Sequence, residues 1–275
     1  MASTNKNKLK PSFKLDWTVI IAIALMHIGA IASIFFFSWS VFFTTLGLLW
    51  LTGHIGITLG FHRLLTHRSF KAPKWFEYFV TVCGCLAWQG SPIRWVGLHR
   101  IHHRHSDQDE DPHTPNHGFF WAHMLWTLTK DEPTHKAYFA AQDLAKDPFH
   151  RWINKYFWVP QILLVVAFWF IGGLPLILWA ICLRTTLVYH TTWLVNSATH
   201  TWGYKNYETG DRSTNLWWLA LLTAGEGWHN NHHKFQTSAA HGLRWFELDI
   251  TYLTIKFLKL IGVASNVILP KNLNS

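Results

Sequence analysis

Residues 17–62 read WTVIIAIALMHIGAIASIFFFSWSVFFTTLGLLWLTGHIGITLGFH, and no charged side chain stands among them. Wound as helix at 1.5 Å per residue, such a stretch extends about 69 Å. The core of a bilayer is about 30 Å thick, so there is length for two crossings. The centre, FFFSWSVFF, places a short turn near residues 38–41. A second apolar region runs from Tyr156 to Tyr204, with Arg184 its only charge. Gly172-Gly173-Leu174-Pro175 offers its turn. The fold expected is an all-α integral membrane protein with four transmembrane helices in two hairpins, at about 17–37, 42–62, 157–172 and 174–196.

Composition agrees. Of 275 residues, 49% are apolar and only 14% charged, a charge content too low for an ordinary soluble domain. Neither hairpin turn carries Lys or Arg. The charges gather in the N-terminal tail, in 63–155 and after 204, and the positive-inside rule places all three on the cytosolic side. A net charge of +9 then reads as membrane-proximal surface, not as a nucleic-acid footprint. One domain spanning 1–275 is expected, its cytosolic cap built from 63–155 and 197–275. The polar start MASTNKNKLKPSFKLD does not read as a secretory signal. Cys83, Cys85 and Cys182 lie in apolar runs and read as small hydrophobes. Residues 74–90 are apolar but short of a span, and are expected in the interface or packed under the bundle. A short helix is expected within 211–224, capped near Ser213 or Thr214, and an amphipathic interfacial helix over 244–261.

The 19 histidines outnumber the 15 acidic residues, and they cluster. FHRLLTH holds His62 and His67, LHRIHHRH holds His99, His102 and His103, and GEGWHNNHH holds His229, His232 and His233. All emerge on the cytosolic side of the expected topology. The spacing HxxHH occurs twice and puts three rings on one helix face, so each triplet is expected to aim at one point. His62 and His67 are five apart, about 140° around a helix, and converge only if the helix ends or bends between them. Arg63 suggests that it ends there. In VNSATHTWG, Asn196 and His200 add a pair at the exit of the last span.

A lone histidine is more often a surface or hydrogen-bonded polar residue than a ligand. That reading covers His54, His113, His117, His123, His135, His150, His190 and His241. His27 reads as a helix–helix contact, while His105 is ambiguous. Two HxxHH triplets and an HxxxxH on one membrane face call for metal. Imidazole suits iron, zinc, copper and nickel. Nine rings exceed the needs of one ion and give two ions four or five each. Open positions on such ions suit dioxygen, whereas zinc offers no redox chemistry. Carboxylates beside the clusters, Glu226 and Asp107 foremost, then Asp109, Glu110 and Asp111, are expected behind the rings. A site where polar catalysis meets lipid suits an acyl chain, whose unactivated C–H bonds acid–base chemistry cannot break.

The stretches GITLGFHRLLTHRSFKAPKWFEY, GLHRIHH, DPHTPNHGFFWAHMLW, TTWLVNSATH and LLTAGEGWHNNHH resemble, in order, those of the membrane-bound fatty acid desaturases, and most closely the delta-9 group. The resemblance implies His62, His67, His99, His102, His103, His200, His229, His232 and His233 as ligands of two irons, with Asn196 reaching one through water. It implies dioxygen as co-substrate and a cis double bond between acyl carbons 9 and 10. In animal acyl-CoA enzymes, Arg and Asp before the second box contact the carrier; RWVGLHRIHH has Gly97 and Leu98 there. The resemblance therefore tips toward cyanobacterial-type acyl-lipid enzymes of the plasma or thylakoid membrane. Acyl-CoA is the alternative substrate, although Arg94 remains to hold a phosphate or pantetheine. No flavin or iron–sulfur motif appears, so a separate donor such as ferredoxin or cytochrome b5 is expected. A related membrane hydroxylase is the alternative chemistry. A metal transporter is the non-enzyme alternative, although its ligands belong near the bilayer midplane. Arg184 reads either as a brace for tunnel or cap or as a salt bridge or snorkel. Trp88, Trp95, Trp126, Trp193, Trp217, Trp218 and Trp228 read as packing or interface anchors.

Overall fold

A computed structural model of the protein describes residues 14–130 and 134–271. Among these the chain is all-helical, with isolated bridges and no strand. Helix α1 (Trp17–Ala32) starts at Asp16, whose carboxylate accepts from the amides of Thr18 at 3.1 Å and Val19 at 3.3 Å. That occupies two of the donors a helix start leaves unpaired. After one tighter turn (Ser33–Phe36) and an extended Phe37, Ser38 caps α2 (Trp39–Thr66). The turn therefore lies at Phe37–Ser38, and α2 begins three residues before the expected position.

Three apolar helical segments are long enough to cross a membrane: Trp17–Phe36, Trp39–Thr66 and Val159–His200, the last with 42 residues. The third contains α6 (Val159–Leu176), a wide-wound stretch Ile177–Leu183, and α7 (Arg184–Ser197). It is broken at Gly173, at φ 61° and ψ −150°, where a side chain would be strained. Pro175 follows, so the backbone breaks within the Gly-Gly-Leu-Pro turn read from sequence. Apolar side chains such as Ile28, Phe35, Leu163 and Phe170 point outward, as a lipid-facing surface requires.

Helix α3 (Lys74–Cys85) packs against α2. Gly56 permits the approach, since a Cβ there would lie 2.6 Å from the Cys83 carbonyl carbon. The core continues through Leu59, Phe61, Val80, Cys85, Ile93 and Val96 into α4 (Pro92–His105). The cysteines are free and buried. Helix α5 (Phe119–His123) and three short helices (Thr134–Ala140, Gln142–Ala145, Pro148–Lys155) lead to α6.

Two further boundaries differ from expectation. Helix α8 is only Trp217–Leu222, and no side chain caps it. Ser213 and Thr214 are used in the preceding loop instead, where the Ser213 amide donates to Asp211 and the Thr214 hydroxyl to the Thr199 carbonyl. Helix α10 (Ile250–Leu260) begins six residues later than 244. Glu247 folds residues 243–247 into a turn by accepting from the amides of Leu243 and Arg244, and Asp249 then caps the helix. Leu253, Phe257 and Leu260 lie exposed along α10 beside Lys256 and Lys259, while Ile255 is buried. Helix α9 (His229–Lys234) is buried through its first five residues.

Arg184 is fully buried and donates to the carbonyls of Ala180 and Leu86 and to Gln161 Oε1 at 3.1 Å. It braces α6, α7 and the end of α3 through neutral acceptors. His27 and His190 meet Nε2 to Nε2 at 3.0 Å, which makes His27 the helix–helix contact expected of it.

Candidate metal centre

Helix α2 does not end at Arg63. It runs on to Thr66 with widened turns, in which the His67 amide donates to the His62 carbonyl, an i→i+5 bond of 3.1 Å. Such winding stacks residues five apart. The rings of His62 and His67 accordingly lie 4.7 Å apart, brought together by overwide helix where a helix end was expected.

The two HxxHH triplets do not each aim at one point. His62, His67, His99, His103 and His232 gather in one group, and His102, His200, His229 and His233 in another; within each, one ligand atom per residue lies within 4.8 Å of all the others. Helix geometry explains the division. Residues at i and i+4 are about 40° apart, while i+3 falls about 60° to the other side. His99 and His103 stay together and His102 crosses over; His229 and His233 stay together and His232 crosses over. Helices α4 and α9 therefore each feed both groups, which locks the two together.

Carboxylates stand behind four rings. His62 Nδ1 lies 2.7 Å from Glu226, His102 Nδ1 2.9 Å from Asp111, His200 Nδ1 3.0 Å from Asp107, and His233 Nδ1 2.6 Å from Asp211. An ionised carboxylate only accepts, so these Nδ1 atoms carry the proton and a neutral ring presents its Nε2 lone pair inward. Burial drives His67, His99, His103, His229 and His232 well below the ordinary imidazole pKa and His233 to about 4. His102 moves up: burial opposes its charge, but Asp111, joined by Asp107 and Asp211, outweighs it. Asp111 and Asp211 are held below the usual carboxylate range by the facing His102 and His233, against the effect of burial.

The inward atoms crowd. The Nε2 of His232 lies 2.9 Å from that of His103 and 3.2 Å from that of His62; His99 and His103 meet at 3.0 Å, His200 and His229 at 3.1 Å, and His102 and His233 at 3.4 Å. The buried Nε2 of His67 has no hydrogen-bond partner. Lone pairs facing one another at such range repel unless a cation lies between them. With metal–imidazole bonds of about 2.1 Å, ligands at right angles stand roughly 3 Å apart. The donor set fits two first-row metal ions, five rings toward one and four toward the other.

Sequence reasoning anticipated Glu226 and Asp107, and Asp111 lay among its wider candidates. It missed Asp211, whose signal was its place in the loop before GEGWHNNHH. Glu110 is exposed. Asn230 and Asn231, between the histidines of α9, turn out to anchor that short helix. Asn230 accepts from the amides of Asn206 and Tyr207 and donates to the carbonyls of Tyr207 and Ser213. Asn231 accepts from Asn206 and Asn215 and donates to the His241 carbonyl and Glu247. His113 and His241, read as ordinary polar residues, are buried beside the two groups. His150 pairs with Glu77, and His123 with His190 and Ser197. The side chain of His135 lies outside the described residues.

Two cavities flank the rings. One of about 860 Å³ is mostly apolar and extends from Phe43, Gly47 and Trp50 to His62, His99 and His229. The other, of about 500 Å³, is lined partly by Gln89, Arg94, Leu98 and Lys130. Trp95, His99, Thr192 and Asn196 line both. Gly97 packs its backbone against the Ala137 carbonyl.

The sequence model of the family described as fatty acid desaturase matches residues 37–256. The chain belongs to the fatty acid desaturase family. It is 51% identical over 257 residues to an sn-1 stearoyl-lipid 9-desaturase of Anabaena variabilis, covering 92% of this chain and 94% of the relative. It is 44% identical to an sn-2 palmitoyl-lipid 9-desaturase of Nostoc, over 93% of this chain and 91% of the relative. An acyl-CoA 5-desaturase of Anemone leveillei is 41% identical, over 93% and 80%. A desaturase is an oxidoreductase of fatty acyl chains, and the paired histidine groups beside an apolar cavity suit that chemistry.

Proposed function

We propose that this chain is a dioxygen-dependent di-iron desaturase that places a cis double bond at carbon 9 of a saturated acyl chain esterified to a glycerolipid. The observation that carries this reading is the division of nine imidazoles, six buried and three half-buried, into adjoining groups of five and four beside an apolar cavity. His62, His67, His99, His103 and His232 would hold one iron, and His102, His200, His229 and His233 the other, with Asn196 reaching an iron through water. Bound iron supplies the reductive activation of dioxygen that removal of two unactivated hydrogens requires. The balance is one dioxygen, two electrons and two protons in, with two waters and the alkene out.

The chain's own residues perform the positioning. The larger cavity excludes water from the methyl end of the acyl chain, between α2 and α7. The smaller cavity takes the ester and glycerol end, with Gln89, Arg94 and Lys130 at its polar lining. The shared wall of Trp95, His99, Thr192 and Asn196 brings the middle of the chain to the rings. Glu226, Asp111, Asp107 and Asp211 keep a proton on Nδ1 of their rings, so that Nε2 faces inward.

The similarity to the cyanobacterial acyl-lipid enzymes supports the glycerolipid carrier and carbon 9. We read the chain as a single desaturase domain with four crossings, the third and fourth meeting at Gly173. The cap of 63–155 and 197–275 lies on the cytosolic face of a bacterial membrane, plasma or thylakoid. A separate donor with an acidic surface, such as ferredoxin or cytochrome b5, docks there on a chain of net charge +9.

The test is direct. Detergent-purified protein should contain two irons per chain, and His232→Ala should lose iron and desaturation together. Given a reducing partner and labelled stearoyl glycerolipid or stearoyl-CoA separately, the enzyme should convert the lipid into a 9-unsaturated product. Full activity after His232→Ala would sink the site, a hydroxylated product the chemistry, and conversion of the CoA ester alone the carrier.

A further inference from the structure

We propose that His241 is a positioning residue of the metal centre: without binding a metal itself, it holds two rings of the five-histidine group. His241 is fully buried and fixed by its backbone, whose amide donates to Asp249 at 2.7 Å and whose carbonyl accepts from Asn231 at 2.8 Å. Its side chain reaches the group by two routes. Its Nδ1 lies 3.1 Å from Glu226 Oε2, the same oxygen that lies 2.7 Å from His62 Nδ1. Its ring stacks on that of His232, with centroids 4.2 Å apart and planes at 30°.

Chemistry separates this arrangement from packing and from ligation. Glu226 accepts only, and the Nδ1 atoms of both imidazoles stand within ion-pair distance of one of its oxygens, while Arg63 Nε donates to the other at 3.0 Å. Held from three sides, the carboxylate cannot turn away from His62. Both ring nitrogens of His241 are buried; Nδ1 has the Glu226 carboxylate within 3.1 Å, and Nε2 has no hydrogen-bond partner. A phenylalanine would fill the same space without that unfavourable atom, so the position answers to the N–H toward Glu226. His241 lies outside the groups of five and four; it gathers with His62 and Glu226 in a third group, whose carboxylate is already engaged by His62 and Arg63. Groups behind metal-bound histidines typically change metal affinity or activity 10- to 100-fold when removed.

This inference rests on the di-iron reading, and the test separates the two. Full-length protein in detergent is compared with His241→Phe, which keeps the stacked ring and loses the N–H, and His241→Gln, which restores an N–H without the ring. Stripped proteins are titrated with Co²⁺ and followed by its absorption spectrum. His241→Phe should weaken binding of one of the two ions about 10- to 100-fold, with kcat falling in step and KM for the acyl substrate within about twofold. His241→Gln should recover a clear part of that loss. Unchanged affinity in His241→Phe, no recovery in His241→Gln, or a third metal ion in the wild-type chain would overturn the proposal. Should His241→Phe not fold, His241→Leu, which loses the N–H and the ring, takes its place: one weakened ion supports the role and two unaltered ions refute it. Wild-type protein that binds two ions but forms no alkene refutes the desaturase reading and leaves the affinity comparison valid.

Discussion

Asn231→Asp is close to isosteric and reverses the sense of two buried hydrogen bonds. Asn231 Nδ2 donates to Glu247 Oε2 at 2.7 Å and to the His241 carbonyl at 2.8 Å. An ionised carboxyl there would face Glu247 at the first of these distances, a repulsion of about 6 kcal/mol at an effective dielectric of 20. Taking up a proton is cheaper, about 4 kcal/mol at pH 7 for a group with an unfolded pKa near 3.9. The protonated group regains one bond to Glu247 and still lacks the other, worth about 1 kcal/mol. The expected destabilisation at pH 7 is thus about 5 kcal/mol, or roughly 10–20 °C in Tm for a chain of this size. Its pH dependence has a definite sign. The folded variant binds a proton that the unfolded variant releases, so the penalty relative to wild type grows as pH rises above about 4 and shrinks by about 1.4 kcal/mol per unit on acidification. Melting in detergent between pH 5 and 8 reads this, with iron retention followed in parallel because α9 carries three of the rings. A Tm within about 2 °C of wild type at pH 7.5, or a gap that widens on acidification, would refute the anchoring role of Asn231.

Arg63→Met removes the cation between buried Glu226 and Asp249, which lie 3.0 and 2.9 Å from it; the expected loss is about 3–5 kcal/mol, read by melting, with loss of iron from the five-histidine group. A wild-type melt would show that those carboxylates are compensated elsewhere. Gly47 lines the apolar cavity with open space where a Cβ would stand. Gly47→Phe should shorten the room for the acyl chain and lower the ratio of stearoyl to palmitoyl conversion about tenfold or more, measured by competition between the two lipids. An unchanged ratio would remove this end of the cavity from the acyl path.

Uncharged length and the Gly-Gly-Leu-Pro break were legible because they depend on composition and on backbone permission alone. The histidines were legible as a set for a similar reason, since their spacing confines them to one side of a helix. Their partition was not. It depends on where two helices cross, and the crossing sorts i and i+4 from i+3, which sequence spacing treats as one face. The widened turns that join His62 to His67 were hidden too, because i→i+5 winding has no marker in HRLLTH as plain as a proline or a glycine. Asn230, Asn231 and His241 escaped because their partners lie in loops whose paths no periodicity fixes. Asn206, Asp211 and Glu247 acquire meaning only once those loops close over α9.

The outer carboxylates make the two proposed metal positions unequal. Asp107, Asp111 and Asp211 all stand behind rings of the four-histidine group, and Glu226 alone behind the five. Two ferrous ions would bring +4 and these carboxylates −4, so the buried centre is neutral as a whole. Locally it is not: the four-histidine position has three negative neighbours for two positive charges, the other a single one. A carboxylate on Nδ1 raises the basicity of Nε2 and favours positive charge at the metal. The four-histidine position should therefore hold the ferric state more firmly, its smaller number of rings offset by their stronger donation. The five-histidine position has more rings and less countercharge, with Arg63 adding a further cation shared between Glu226 and Asp249. Fully loaded protein should accordingly give two distinct Mössbauer doublets, and Asp211→Asn should move one and leave the other. A single doublet would mean that the carboxylates do not divide the centre electrically, and that the five-and-four partition is a matter of packing alone.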